Sequence, residues 1–249
     1  MLLAGLTTLV LLMGTYAAVR SARGERNAVL ATLAVAAAWS ALAPALLAAE
    51  GRDAMGAILR GGIVADAVGI GLLVLWLASD QLTFAAAVKV YLIMAAETLV
   101  GVAAVCCARG ASARRLAAVL AACGLALALA TPFWIGGLLH AAGRQTAQLL
   151  AFLSVRVNPF YAVTAAVFDR IGFAWDQAPF MYARVQQIND YASASPTWHS
   201  TALIHLAASA LLAGVALIRG QHGAEDRSAR TNSARLHPPS SNSPRSRAN

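Results

Sequence analysis

The stretch QLLAFLSVRVNPFYAVTAAVFDRIG, residues 148–172, is long and apolar enough to be taken for a membrane-spanning helix, yet Arg156 and the pair Asn158–Pro159 stand near its middle. Proline has no N–H to donate and pushes the residue before it out of the helical region. In hydrocarbon, where no water satisfies an orphaned backbone group, a continuous lipid-exposed helix through this point is untenable. The spacing therefore predicts two short helices broken at Val157–Asn158. Pro159 falls in the first turn of the second, where a missing N–H is harmless.

The rest of the chain supplies the setting for that break. Of 249 residues 59% are hydrophobic and only 12% charged, with mean hydropathy +0.64, outside the range of soluble domains. A spanning helix needs about 20 mostly apolar residues. Six windows qualify, at about 2–19, 27–49, 63–79, 85–107, 116–139 and 201–218. The expected fold class is all-α: a polytopic integral membrane bundle of about six transmembrane helices. Residues 148–172 form a re-entrant or interfacial segment between the fifth and sixth. Residues 173–200 mix Phe173, Trp175, Phe180, Tyr182, Tyr191 and Trp198 with polar groups, the composition of an interfacial outer loop. Residues 220–249, rich in Ser, Pro, Arg and Asn, read as a disordered tail.

Positive residues in short loops are retained on the cytoplasmic side. From Arg219 onward six arginines face only Glu225 and Asp226, so the tail holds +4 of the net +8 and is expected in the cytoplasm. Six spans then put the N-terminus inside as well. The loop ARGASARR (108–115) and the Arg52/Arg60 loop fall inside, and DQLTF (80–84), with no basic residue, outside. RSARGER (20–26) breaks the rule, because its three arginines fall outside. Counting 148–172 as a seventh span moves the three-arginine loop ARGASARR to the outside, which favours the re-entrant reading. The charge is scattered through loops and tail, which points to anionic lipid and not to nucleic acid.

Ionisable groups inside spans are costly and mark function by default. Asp66 lies about one turn inside the third window, Lys89 about one turn inside the fourth, and Glu97 near its middle. Lys89 and Glu97, eight residues apart, stand about 12 Å apart along the helix and cannot pair. Lys89 can reach the interface with its long stem. Glu97 has no such route, and must be neutral, face a polar cavity, or find a partner such as Thr98, Tyr91 or a group on another helix. No His, Cys or acidic spacing suggests a metal site, and no nucleotide-binding, GxSxG or HExxH motif occurs. No catalytic residue and no cofactor is expected. Cys106, Cys107 and Cys123 read as free thiols.

The segment VNPFYAVTAAVFDRIG, the polar loop after it and PTWHSTALIHLAASALLAGVALIR together resemble the membrane permease subunits of ABC-2-type ATP-binding-cassette transporters, over roughly residues 149–219. The resemblance implies about six spans, an extracellular re-entrant hairpin carrying Asn-Pro between spans five and six, and a last helix ending in arginines in the cytoplasm. It further implies a cell (inner or plasma) membrane location, a translocation pathway shared with a second permease copy or homologue, and a separate ATP-binding subunit docked on loops near Arg52–Arg60 or Arg109–Arg115. Family permeases usually begin with a cytoplasmic amphipathic helix, whereas this chain begins almost directly with its first span. The alternative is a non-transporting membrane scaffold or assembly protein, in which Lys89 and Glu97 glue helices together. A membrane enzyme is disfavoured, since no cluster of acidic residues and histidines gathers at one depth.

Overall fold

The computed structural model describes residues 2–51, 53–171, 188 and 197–236, and the described residues form helices and short links with no strand. The helices are α1 (Leu2–Arg23), α2 (Glu25–Ala49), α3 (Ala54–Ala78), α4 (Phe84–Cys106), α5 (Ala111–Leu129), α6 (Thr131–Ala141), α7 (Arg144–Val157), α8 (Pro159–Ile171) and α9 (Trp198–Leu236). Six of them (α1 to α5, and α9 over Trp198–Ile218) are long and apolar enough to cross a membrane. The chain is a membrane-spanning helical bundle.

The links are short because single residues turn the chain. Gly24, at φ +82°, alone separates α1 from α2, and Gly110, at φ +83°, precedes α5. A side chain there would clash with the backbone, which glycine avoids. Asp53 and Thr83 cap α3 and α4, their side-chain oxygens accepting from Gly56 N (2.7 Å) and Ala86 N (3.1 Å).

The centre of the bundle is α2 and α4, around which α1, α3, α5, α8 and α9 pack. Small residues let the axes approach. A Cβ on Gly61 of α3 would run into Val102 of α4 and lie 3.3 Å from Pro44 O of α2, and one on Gly101 of α4 would lie 3.2 Å from Ala45 of α2. Such contacts give dispersion attraction that lipid, itself apolar, does not replace. The outer faces carry exposed Leu6, Leu77, Leu120, Leu127 and Leu211.

Four boundaries differ from expectation. The third helix starts at Ala54, nine residues early, because Asp53 caps it and no proline intervenes before Ile63. The fifth window, 116–139, is two helices, broken at Ala130 ahead of Thr131–Pro132. The segment after it is helical from Arg144 on, and α8 is no peripheral strap: its Ala162, Val163, Ala166 and Val167 belong to the main core. The last helix continues to Leu236, past the expected end at Ile218, through a sequence with no proline before Pro238. Of the segment expected to be disordered, 237–249 lie outside the described residues. So does the expected outer loop, apart from Ile188 and 197–200.

Candidate functional site

The break at Asn158 is built from hydrogen bonds that its neighbours cannot make. α7 and α8 meet at 64°, with Asn158 between them, fully buried. Its backbone N–H closes α7 on Ser154 O (3.1 Å), and its Oδ1 accepts from Phe160 N (2.8 Å), serving an otherwise orphaned N–H of the first turn of α8. Pro159 is the first residue of α8, where the fixed φ suits the helix and the absent N–H costs nothing. Both expectations for the pair hold.

The Asn158 amide has a further role that spacing did not reveal. Its Nδ2 donates to Leu129 O at 3.0 Å, at the end of α5. That carbonyl is open because the chain breaks there: Phe133 N–H, which would serve it in a continuous helix, bonds Ala130 O (2.9 Å) instead. The neighbouring carbonyls are served locally. Thr131 Oγ1 donates to Ala128 O, the carbonyl that Pro132 has no N–H to reach, and Trp134 Nε1 donates to Leu127 O at 3.0 Å. Two helix breaks, 29 residues apart, are thus closed on each other by one side chain. The sequence signal, overlooked because the fifth window reads as uniformly apolar, is Thr131–Pro132.

The three intramembrane ionisable residues do not come together. Glu97 is completely buried on α4, and among the described residues neither carboxyl oxygen finds a hydrogen-bond partner; Thr98 and Tyr91 do not serve it. The hydroxyls of Ser40, Thr98 and Thr201 are also buried and unpartnered. Burying a polar group without a bond costs about 1–3 kcal/mol, and a charge several times that. Lys89 is half-buried, near the Phe84 end of α4. Asp66 is exposed. With α3 running from Ala54, Asp66 stands twelve residues from each end instead of one turn inside, a direct consequence of the longer helix.

At the opposite end from the α3–α4 link, two loops named for their charge are joined. Arg114 Nη1 donates to Gly51 O at 2.6 Å, and Arg60 pairs with Glu50 at 2.8 Å. Between the α2–α3 and α4–α5 links lies an open cleft of about 840 Å³, lined by Glu50, Gly51, Gly110, Arg114 and Arg115 among others. Arg52 lies outside the described residues. The RSARGER turn sits at the other end, as Tyr16 Oη donating to Ala78 O (3.2 Å) shows. Arg20 there is offset by Glu25 (3.8 Å) and stacks over the Tyr16 ring.

Cys107 Sγ donates to Leu212 O (3.0 Å), tying the end of α4 to α9, and the three cysteines are free thiols. Among the described residues no group of three or more His, Cys, Asp or Glu gathers as a metal site would require. No protein-family model matches this chain, and no curated protein or solved structure is significantly similar to it.

Proposed function

We propose that this chain is the membrane-embedded permease subunit of an ABC-2-type transporter, moving a substrate across a cell (inner or plasma) membrane with its C-terminus in the cytoplasm. It works with a separate ATP-binding subunit and with a second permease copy or homologue. The observation that carries the reading is the broken pair α7–Asn158–α8, inserted between the fifth span and the last, with α8 packed on α2, α4 and α9. A pair bent by 64° in this place is a broken span or a re-entrant segment, and the re-entrant form is the one the reading requires. The cleft between the α2–α3 and α4–α5 links is compatible with it: Arg114 and Arg115 of α5 and Glu50 line it beside apolar Leu46, Ala118 and Val119, and Arg114 ties the two links together.

The test is copurification. The tagged full chain is expected to bring down a protein with a GxxxxGK[ST] nucleotide loop, whose ATP turnover rises when both are reconstituted in lipid vesicles. Arg115→Glu in the cleft should weaken that pairing. A chain that isolates alone, and leaves the turnover of every neighbouring-gene ATPase unchanged, sinks the transport reading in favour of a membrane scaffold.

A further inference from the structure

Asp66 poses a problem that the bundle itself does not solve. It is exposed on the lipid-facing side of α3, no described residue bonds to it, and it is the only charged residue between Arg60 and the helix end at Ala78. Its depth follows from nearby contacts. Arg60, paired with Glu50 just past the end of α2, gives a reference level at the polar end of the bundle. Asp66 is six residues further in, roughly 9 Å. From there to Ala78 is about 18 Å more of apolar helix. A carboxylate at this depth facing lipid is expensive, and such groups are found paired or in polar surroundings.

The surface beside it is shaped for a helix. α1 runs parallel to α3, with Ile63 against Gly5 and Leu12 against Gly71. Between them runs a groove of about 380 Å³ whose lining is apolar except for Asp66: Leu2, Leu6 and Leu9 on one wall, Ile63 and Ile70 on the other. Gly62, one turn before Asp66, has open space where its Cβ would be, leaving room for a close approach.

We propose that the α1–α3 groove seats a transmembrane helix of a different membrane protein, one that presents a lysine or arginine to Asp66. Charge complementarity commits the choice: apolar walls match a spanning helix, and the lone carboxylate requires a base or its equivalent at one depth. A second copy of this chain does not bring one there. Its intramembrane base, Lys89, lies past the Tyr91–Gly69 contact, about 7 Å farther from the Arg60 level, and a two-fold axis normal to the membrane preserves that offset. The proposal stands apart from the transport reading, since the groove shares no lining residue with the loop cleft and needs no ATPase.

The probe is a poly-leucine spanning peptide with one lysine placed at the depth of Asp66, compared with the same peptide carrying leucine there. Both are labelled and titrated by energy transfer against the purified full chain in lipid vesicles. The lysine peptide is expected to bind about tenfold more tightly than its leucine control. Asp66→Leu should abolish that difference, while Asp53→Asn, at the helix cap, should leave it intact. Equal binding of both peptides, or a preference for lysine that survives Asp66→Leu, overturns the proposal. So does disulfide crosslinking of Leu6→Cys to Leu6→Cys of a second copy in native membranes, which assigns the groove to self-association.

Discussion

Asn158 Nδ2 donates to Leu129 O at 3.0 Å, so that the amide breaking α7 from α8 also closes the carbonyl exposed where α5 breaks from α6. This bond joins the end of the fifth span to the bent pair, and with it the small outer cluster of Ile135, Leu139, Ala147, Ala151 and Val155 to the main core reached by Ala162 and Val163.

Replacing Asn158 should therefore cost more than one cap. Asn158→Leu removes the part-buried bonds to Leu129 O and from Phe160 N–H, about 1 kcal/mol or more each, and should lower the thermal midpoint of the detergent-purified chain by several degrees. Pro159→Ala, which only restores a redundant N–H, should shift it by less than half as much. Equal losses would assign the bend to proline alone.

Gly61 and Gly62 are adjacent on α3 and differ in what a methyl group would meet. Gly61→Ala drives a Cβ into Val102 and should destabilise the bundle by about 1–3 kcal/mol. Gly62→Ala meets nothing within 4 Å and should be neutral or stabilise by up to about 1 kcal/mol through helix propensity. Denaturation of the two variants side by side checks the α2–α3–α4 contact.

Arg114 pins the α2–α3 link through Gly51 O. Arg114→Ala should free that link, seen as faster protease cleavage near residues 51–54, at a stability cost of about 1–2 kcal/mol. Arg109→Ala, in the adjoining α4–α5 link, should leave the cleavage rate unchanged.

Glu97 is buried with neither oxygen bonded by a described residue, so its retention is not explained by stability. Glu97→Leu is expected to keep or raise the thermal midpoint, as apolar replacements of buried ionic groups often do. If the residue serves transport, the same variant loses activity in vesicles while expressing normally. A sharp fall in expression would make Glu97 a packing residue.

The ends of the bundle can be read by labelling. In a background without the native cysteines, Ser21→Cys and Gln81→Cys should react with a membrane-impermeant maleimide from one side of the membrane, and Ser112→Cys from the other. Ser21 reacting together with Ser112 would contradict the Tyr16–Ala78 contact, which places RSARGER beside the α3–α4 link.

How legible these features were depended on how local their causes are. The 148–172 break was plain because Asn-Pro acts on its own neighbours. Pro132 acts in the same way, but it stood inside an unbroken apolar run, and the split of the fifth window went unread. The depth of Asp66 was misjudged for a related reason: polar Arg60 and the paired Gly61–Gly62 suggested a helix start at Ile63, whereas the Asp53 cap and the packing of Gly61 on Val102 carry the helix back to Ala54.

Sequence by itself determined that this is an all-helical membrane protein with about six apolar spans and a bent segment between the last two, because hydropathy over about 20 residues and the chemistry of proline are properties of short stretches. Only the tertiary structure decided which carbonyl Asn158 serves, that α8 enters the core, that the two arginine-bearing links share one cleft, and that Glu97 faces inward while Asp66 faces out. Each of these depends on which helix lies beside which, and in a chain this rich in alanine and leucine nearly every helix face is apolar enough to be buried. Close contacts at Gly61 and Gly101, and hydrogen bonds between distant breaks, make the choice.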